Sequence, residues 1–350
     1  MSQKSKCSLI IDGNWLLMSR LSVLNNRFKT EKELCQELKL LMLKSIDVVL
    51  RQFPIIDNII FVSDGGSWRN KIEIPQFLQL EGVEYKGNRE KSDDINWDLI
   101  FAEFEDFMSV LSTTGITVCR EQYIEGDDWC WYWSTKLNSE NTNCIIWSKD
   151  KDLTQLVKTD QDNCFTIWWN KDSGVIVEDK PDEEMNFLMN FKFNENEEIY
   201  REILKNCIKI TKINPQNIVI DKIIRGDAGD NILPIIFRNS KTNSEKKFRV
   251  SVKDLPNNLN IHDKNNICDY ISNLLNSKSY IDRVDKPFDN IIEHFEYNVK
   301  LVELTKENYP DYIMEIFEKY TEYNQSKDVS IAESKIRASS NQLKEILDFI

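Results

Sequence analysis

The sequence predicts an α/β protein with a mostly parallel central sheet flanked by helices. Short apolar runs alternate with helix-like amphipathic segments in the first half of the chain, which is the pattern of β-α-β units. The composition changes near Pro181, and helical patterns dominate after it. We therefore expect an α/β domain over residues 1–181 and a mainly helical domain over residues 182–350.

The composition is that of a globular protein. The 350 residues are 41% hydrophobic and 29% charged, which excludes a disordered chain. No apolar run approaches the roughly 20 residues of a membrane span, and residues 1–6 lack the apolar core of a signal peptide. The eight scattered cysteines, without a Cys-x-x-Cys pair, indicate reduced thiols. We expect a cytoplasmic monomer without membrane attachment.

Four predicted strands of the first domain each lead into acidic residues. One such residue could be a helix cap, but the repetition favours a common site. In a parallel sheet the carboxyl ends of the strands share one edge, which is where open α/β sheets bind ligands. The strands are predicted at residues 7–11, 58–63, 116–119 and 143–147, and the acids that follow them are Asp12, Asp64, Glu125, Asp127, Asp128, Asp150 and Asp152.

Further elements follow from local patterns. The amphipathic spacing predicts helices over residues 31–53, 153–157 and 197–210, with packed helices over 289–323. A helix from residue 92 to 111 would use Asp93 and Asp94 as capping acids. Residues 165–169 and 175–177 predict a hairpin at the edge of the sheet. The tail after Ser326 predicts either a docking helix or the last core helix.

The clustered acids indicate a site for divalent cations. Two carboxylates about 4 Å apart repel by roughly 4 kcal/mol at an effective dielectric of 20, so a cation must balance them. Carboxylate oxygens without His or Cys suit two Mg²⁺ ions, with Mn²⁺ as a substitute, in the hydrolysis of a phosphate ester. Asp227 and Asp230 would join this site if the helical domain packs over the cleft. His262 and His294 are both interpreted as structural or exposed.

Two basic segments stand out in a chain of net charge −13. That net charge alone argues against nucleic acid, but basic residues can be segregated. Residues 85–91 form either a solvated loop or a phosphate-binding loop in which Lys86 and Arg89 bind. The second segment is a candidate track for phosphates and comprises Arg238, Lys241, Lys246, Lys247, Arg249 and Lys253.

The acidic motifs, in order and spacing, resemble those of the 5′-nuclease family, which includes flap endonucleases and phage 5′→3′ exonucleases. The resemblance extends from about residue 9 to 320, and residues 85–89 resemble the base of the family's helical arch, near residues 67–95. Residues 294–302 and 309–313 resemble the T-even bacteriophage ribonuclease H branch of the family. The motifs are residues 12–14, 63–64, 125–128, 148–152 and 226–231.

The resemblance implies a Mg²⁺-dependent nuclease that removes RNA primers and short 5′ flaps in phage DNA replication. Its substrates would be duplex DNA and RNA–DNA hybrids, and its partners would include a single-stranded-DNA-binding protein and a sliding clamp. A helix–turn–helix-like element near residues 215–255 would grip duplex backbone, and Lys86 and Arg89 would steer the scissile phosphate. Asp12, Asp64, Glu125 and Asp127 would surround the first ion, Asp128 would support them, and Asp150, Asp152, Asp227 and Asp230 would serve the second.

Three alternatives remain in view. A branched-nucleic-acid-binding protein without catalysis would gain nothing from a self-repelling acidic pocket, and replacement of Asp127 and Asp152 would separate it from a nuclease. The helical half argues against the related PIN-like ribonucleases. Asn14 at the second position after Asp12 disfavours phosphatases of the Asp-x-Asp type.

The segment after Asp230 departs from cellular flap endonucleases, because residues 231–237 lack the glycines of their cation-binding hairpin.

Overall fold

The computed structural model describes residues 6–24, 30–82, 84–89, 95–159, 164–179, 195–236, 250–256, 259–277, 287–320, 333–338 and 341. The chain divides into two compact units. The first unit comprises residues 1–67, 93–213 and 310–350, and the second comprises residues 68–92 and 214–309. This grouping differs from a single division at residue 181, since later segments return to the first unit and residues 68–92 belong to the second.

A sheet of eight strands in the described residues forms the first unit, with the order β3-β2-β1-β4-β6-β7-β8 and β5 paired to β6. Neighbouring strands from β3 to β6 run parallel in this order, as the sequence predicts. The strands are β1 (Lys6–Asp12), β2 (Asn58–Val62), β3 (Thr117–Cys119), β4 (Thr142–Trp147), β5 (Lys158–Thr159), β6 (Phe165–Asn170), β7 (Gly174–Glu178) and β8 (Ile210–Ile213).

Helices cover both faces of this sheet, so that both faces of its central strands are buried. The helices of the first unit are α1 (Gly13–Leu24), α2 (Glu31–Gln52), α3 (Trp97–Thr113), α4 (Gly126–Ser139), α5 (Glu195–Lys205) and α9 (Asp311–Lys319). Ile11 and Ile145 share one apolar core with α1, α2 and α3. On the opposite face, Asn138 of α4 bonds to Thr166 at 2.8 Å.

Several local expectations need correction. The hairpin of β6 and β7 forms, but β8 pairs in parallel with β7, so the hairpin does not lie at the edge of the described sheet. The predicted helix at 197–210 ends at Lys205. Ile210 is instead the first residue of strand β8, whose side chains alternate between the two faces of the sheet. Asp152–Leu156 is a 3₁₀ helix. α3 begins at Trp97, where the Asn96 side chain caps it, and Asp93 and Asp94 lie outside the described residues.

The second unit is built on helices around its own apolar core. Its helices are α6 (Pro215–Arg225), α7 (Lys264–Leu275) and α8 (Phe288–Val302), and 3₁₀ turns include Trp68–Lys71 and Gln76–Glu81. Buried Asn298 of α8 donates to the carbonyls of Ile223 and Leu233 at 2.8 and 2.9 Å. The turn after α6 is thereby fixed to α8.

The described helices include none with both the length and the apolar character needed to cross a membrane.

Candidate metal centre

The strand register brings the predicted acids of the first unit to one edge of the sheet. Asp12 lies level with Val62, and Ile11 lies level with Trp147, so the residues that follow β1, β2 and β4 emerge side by side. Asp12 is 7% exposed and Glu125 is 5% exposed, which makes this edge a partly desolvated site. Asp64 and Asp127 are half-buried and Asp150 is exposed.

Asp12 is the most perturbed carboxyl of the site. Its Oδ1 accepts a hydrogen bond from the amide of Trp15 at 3.0 Å, and its Oδ2 accepts one from the hydroxyl of Ser148 at 2.6 Å. Burial raises its pKa from 3.8 to about 7, with smaller contributions from the charges of Asp64 and Asp150, although the two hydrogen bonds act to lower it. The ionised form therefore needs a nearby cation.

Asn14 holds Asp64 in place. Its Nδ2 donates to Oδ2 of Asp64 at 2.8 Å, and its Oδ1 accepts from the Ser63 hydroxyl at 2.8 Å and from the Asp64 amide at 3.1 Å. The other oxygen of Asp64 accepts from the amide of Gly126 at 2.6 Å. The start of α4 is thus joined to the end of β2 through the Asp64 carboxylate.

Glu125 is fixed by its neighbours on both sides. The Ser67 hydroxyl donates to its carboxylate at 2.7 Å, and the wholly buried side chain of Asp128 accepts from its amide at 3.0 Å in a capping box. The preceding loop lies against Gly65, where an added Cβ would come within 1.8 Å of the Glu121 carbonyl. The glycine after Asp64 is therefore required for the approach of the loop that delivers Glu125.

The remaining acids of the first unit continue the same edge. Asp127 lies in the first turn of α4. The amide of Asp150 donates to Ser148 Oγ at 2.9 Å, and the amide of Asp152 donates to Asp150 Oδ1 at 2.9 Å. Burial, followed by the charges of Asp12 and Asp127, raises the pKa of the Cys130 thiol well above its ordinary value. That thiol is therefore protonated at neutral pH.

These residues fit a hard divalent cation. The donors are carboxylate oxygens, and each oxygen that already accepts one hydrogen bond keeps a lone pair for a metal. A protonated Cys130 offers no thiolate, so the site does not favour soft metals. The high pKa of Asp12 indicates that a cation would release free energy by binding, since the ionised carboxylates are costly without one.

Asp227 and Asp230 belong to the second unit, in the turn after α6. Burial raises the pKa of Asp227, but the Lys222 ammonium at 2.5 Å outweighs this and holds the pKa below its usual value. Asp230 pairs with Arg89 at 2.5 Å. Each acid thus has a cation beside it within its own unit, and their convergence with the acids of the first unit stays a prediction.

The two basic segments differ in what the structure describes. Lys86 is half-buried with its ammonium over the ring of Tyr85, at 5.0 Å, and Arg89 is exposed. Lys253 is exposed on a short 3₁₀ turn. The other residues of the predicted phosphate track lie outside the described residues, namely Arg238, Lys241, Lys246, Lys247 and Arg249.

Sequence patterns do not single out the neutral residues that hold the acids. Asn14, Ser63 and Ser148 fall within the acidic motifs but are assigned no contact there, and Ser67 lies outside those motifs. The local signal is that Ser63 and Ser148 each follow a buried strand and precede an acid by one or two positions. Their partners, however, are far away in sequence.

The family of the 5′-3′ exonuclease N-terminal, resolvase-like domain matches residues 7–186. A curated relative, a 5′-3′ exonuclease of Buchnera aphidicola subsp. Acyrthosiphon pisum (strain APS), is 29% identical over 164 residues. The alignment covers 46% of this chain and 52% of the relative, so the chain spans about half the length of that relative.

The chain is also similar to solved structures along nearly all of its length. A T5 5′-exonuclease with bound divalent metal ions (zinc) is 15% identical to this chain. The alignment covers 98% of this chain and 100% of the T5 chain and has a TM-score of 0.46. The catalytic core of Rad2 in complex with a DNA substrate is 12% identical, covers 99% of this chain and 92% of its own, and gives a TM-score of 0.35.

Proposed function

Since the chain belongs to the 5′-3′ exonuclease family, we propose that it is a metal-dependent nuclease that hydrolyses phosphodiester bonds near 5′ ends. The observation that supports this most is the acidic edge of the first unit, where Asp12, Asp64 and Glu125 are held together by hydrogen bonds from neutral side chains. A protein gains little stability from such an arrangement unless it binds a cation. The raised pKa of Asp12, about 7, supports the same conclusion.

The acids divide between two metal ions in this proposal. Asp12, Asp64, Glu125 and Asp127 hold the first ion, and Asp128 supports them because it fixes the backbone of Glu125. Asp150, Asp152, Asp227 and Asp230 serve a second ion, largely through waters. When bound, such ions lower the pKa of an attacking water and neutralise charge on the phosphate. Ser148 and Asn14 keep the carboxylates oriented, and Lys86 and Arg89 stabilise the phosphate oxygens.

Mg²⁺ is the proposed ion, with Mn²⁺ as a working substitute. The donor set consists of hard oxygens, and Mg²⁺ prefers a few carboxylates while it keeps several waters. Zn²⁺ would gain most from His or Cys ligands, and the nearby Cys130 is held protonated by burial and by the adjacent acids. A ranking of Mg²⁺ and Mn²⁺ above Zn²⁺ in support of cleavage would agree with this choice.

The proposed substrates are duplex DNA and RNA–DNA hybrids that carry a 5′ end or a short flap. The resemblance of the late helical residues to the T-even bacteriophage ribonuclease H supports a role in removing RNA primers during phage DNA replication, in the host cytoplasm. A single-stranded-DNA-binding protein and a sliding clamp are the proposed partners. The second unit, with Lys86, Arg89 and the predicted phosphate track, is the proposed contact with duplex backbone.

The first experiment is cleavage of a 5′-labelled duplex with a short RNA or DNA flap, with and without Mg²⁺. Asp127→Asn should lower cleavage by about 100-fold while DNA still binds, because an amide replaces a charged ligand. The matched control is Asp98→Asn, since Asp98 lies in the first turn of α3 as Asp127 lies in the first turn of α4, but is exposed. Tight binding without cleavage in Mg²⁺ and Mn²⁺ alike would favour the binding protein instead.

The phosphate track has its own test in salt dependence. Reversal of Lys246 and Lys247 to Glu should weaken duplex binding and reduce the slope of log affinity against log salt by about one unit per lost phosphate contact. Lys32→Glu combined with Lys44→Glu, two exposed lysines of α2, is the control for the same change in net charge. An unchanged slope in the double variant would count against this track.

A further inference from the structure

The turn that carries Asp227 and Asp230 also holds the turn that carries Lys86 and Arg89. We name residues 226–231 the acidic turn and residues 84–89 the basic turn, both in the second unit. We infer that Asn231 is a positioning residue that orients Lys86 and Arg89 toward the phosphate of the substrate. The inference rests on the proposed function, because only that proposal assigns Lys86 and Arg89 to the phosphate of a substrate.

Asn231 joins the two turns through its side chain. Its Nδ2 donates to the carbonyl of Gly82 at 2.8 Å and to the carbonyl of Glu84 at 3.0 Å, so both hydrogens of the amide are used at the start of the basic turn. Asn231 itself has a left-handed backbone, with φ of 58°. Asparagine is among the few residues that adopt this conformation at low cost. Its position and its chemistry are therefore both specific.

Three more residues of the basic turn bond to the acidic turn. The backbone amide of Lys86 donates to the Asp230 carbonyl at 2.9 Å, and the Asn88 side chain donates to the Ala228 carbonyl at 2.8 Å. Arg89 pairs with the Asp230 carboxylate at 2.5 Å. Lys86 has a φ of 56°, which is unfavourable for a lysine unless surrounding contacts hold it. The acidic turn supplies such contacts.

The acidic turn is a firm support for this purpose. Asp227 and Ile232 exchange backbone hydrogen bonds of 2.9 and 2.7 Å, which close the turn at its base. Gly226 has a φ of 68°, and an added Cβ would come within 2.3 Å of the Ile232 carbonyl. The acidic turn is thus closed at its base by its own backbone, although Ala228 and Gly229 at its tip are exposed, as are Gly87, Asn88 and Arg89 of the basic turn. Because the basic turn bonds to this closed frame, we expect its order to depend on the acidic turn.

Loss of the Asn231 amide would change position without changing charge. Lys86 and Arg89 would keep their charges, so long-range attraction of a polyanion would remain. Their alignment with the phosphate would be lost, which affects the transition state more than the initial encounter. We therefore expect a fall in kcat with little change in KM or in the salt dependence of binding.

The first readout is independent of nuclease activity. Trypsin cleaves after Lys86 and Arg89, and cleavage needs the basic turn to open. Asn231→Gly keeps the left-handed backbone and removes both side-chain bonds, so cleavage at these two positions, mapped by mass spectrometry, should be about tenfold faster. The control is Asn141→Gly, because Asn141 has a φ of 56° and lies in the first unit. Equal rates in both variants would overturn the inference.

The second readout separates positioning from general damage. Asn231→Gly should lower kcat about tenfold with KM nearly unchanged, and should have little further effect when Lys86 and Arg89 are already alanine. A full effect of Asn231→Gly in that background would show that it does not act through these cations. If the wild-type protein cleaves no substrate, the proposed function fails, and the trypsin experiment still decides whether Asn231 holds the basic turn.

Discussion

Ser148 donates a hydrogen bond of 2.6 Å from its hydroxyl to Oδ2 of Asp12. The same hydroxyl oxygen accepts the amide of Asp150 at 2.9 Å. One wholly buried serine therefore joins the carboxyl ends of β1 and β4 and sets the start of the loop that carries Asp150. Because a buried hydrogen bond to a carboxylate favours its ionised form, Ser148 also governs how readily Asp12 can bind a cation.

Replacement of Ser148 by alanine should weaken metal binding. Without the donor, the pKa of Asp12 rises from about 7 to a higher value, and more protons compete with the cation at neutral pH. We expect a several-fold loss of Mg²⁺ affinity and a shift of the pH profile of cleavage to higher pH. The measurement is a Mg²⁺ titration of cleavage at several pH values, with calorimetry of Mn²⁺ binding.

Ser134→Ala is the control for Ser148→Ala. Ser134 is also buried, but its hydroxyl donates to the carbonyl of Trp131 within α4. Its loss should cost stability without a change in metal affinity. Equal Mg²⁺ affinity in the two variants would show that the bond to Asp12 does not set the ionisation of this carboxyl.

The pKa of Asp12 also predicts how stability depends on pH in the absence of metal. The folded-state pKa, about 7, lies above the ordinary value of 3.8, so between these pH values the folded protein binds more protons than the unfolded chain. The contribution of Asp12 to the free energy of unfolding is therefore lost as pH rises from about 4 to about 7, by an amount on the order of 4 kcal/mol.

Denaturation in chelator at pH 5 and pH 8 tests this for wild type and Asp12→Asn. The amide has no proton to lose, so the variant should lose less stability than wild type between the two pH values. Asp227, whose pKa is lowered, contributes in the opposite sense and loses stability only at lower pH, so it does not obscure the comparison. Parallel pH dependences in the two proteins would contradict the assignment.

The acidic edge could be predicted from sequence because it depends on short-range patterns. A strand buried on both faces is visible as a short apolar run of a few residues, and a parallel arrangement places every strand end together. The residues that hold the acids could not be predicted, since Ser148 and Asp12 are 136 positions apart and either residue alone is unremarkable. The same holds for Asn14 and Asp64, which are 50 positions apart.

Which segments of the chain belong to each unit could also not be predicted from local sequence patterns. β8 is four residues long, too short to stand out from the helical segments around it. The described residues between 310 and 350 group with the first unit after the whole of the second, which no local sequence pattern indicates. The sequence places an arch or loop of the first domain near residues 67–95, whereas the contacts of residues 68–92 group them with the second unit.

Gly126→Ala should separate activity from stability. An added Cβ would lie 3.1 Å from Oδ1 of Asp64 and 4.0 Å from Oδ1 of Asp12, inside the acidic centre. This close contact would force the Asp64 carboxylate to shift, against the hydrogen bond by which Asn14 holds its other oxygen. Alanine in place of glycine in a helix adds up to about 1 kcal/mol of stability, so the fold should not be weakened much.

The expected result for Gly126→Ala is a fall in cleavage of about tenfold or more with a melting temperature close to that of wild type. If Gly126→Ala cleaves normally, the carboxylates of Asp12 and Asp64 tolerate displacement, and the metal assignment of this edge is weakened.

The last prediction concerns α9, which supports the helix that carries Asp127. Phe317 of α9 is wholly buried, stacks on Tyr132 of α4 with ring centroids 4.7 Å apart, and meets Trp129 edge-on at 5.1 Å. Phe317→Ala should lower the free energy of unfolding by about 3–5 kcal/mol through the cavity it leaves. Tyr312→Ala, on the same helix but 39% exposed, should cost about 1 kcal/mol or less.

Chemical denaturation of the two variants measures this difference, and cleavage at a temperature where both stay folded measures its effect on the site. Because α4 begins at Gly126, next to Asp127, loosening its aromatic face should also lower activity in Phe317→Ala. The family match ends at residue 186, so α9 lies outside the segment that defines the family. Equal stability of the two variants would mean that α4 holds its position without α9. A large difference in stability together with lower cleavage by Phe317→Ala would mean that the acidic centre depends on α9.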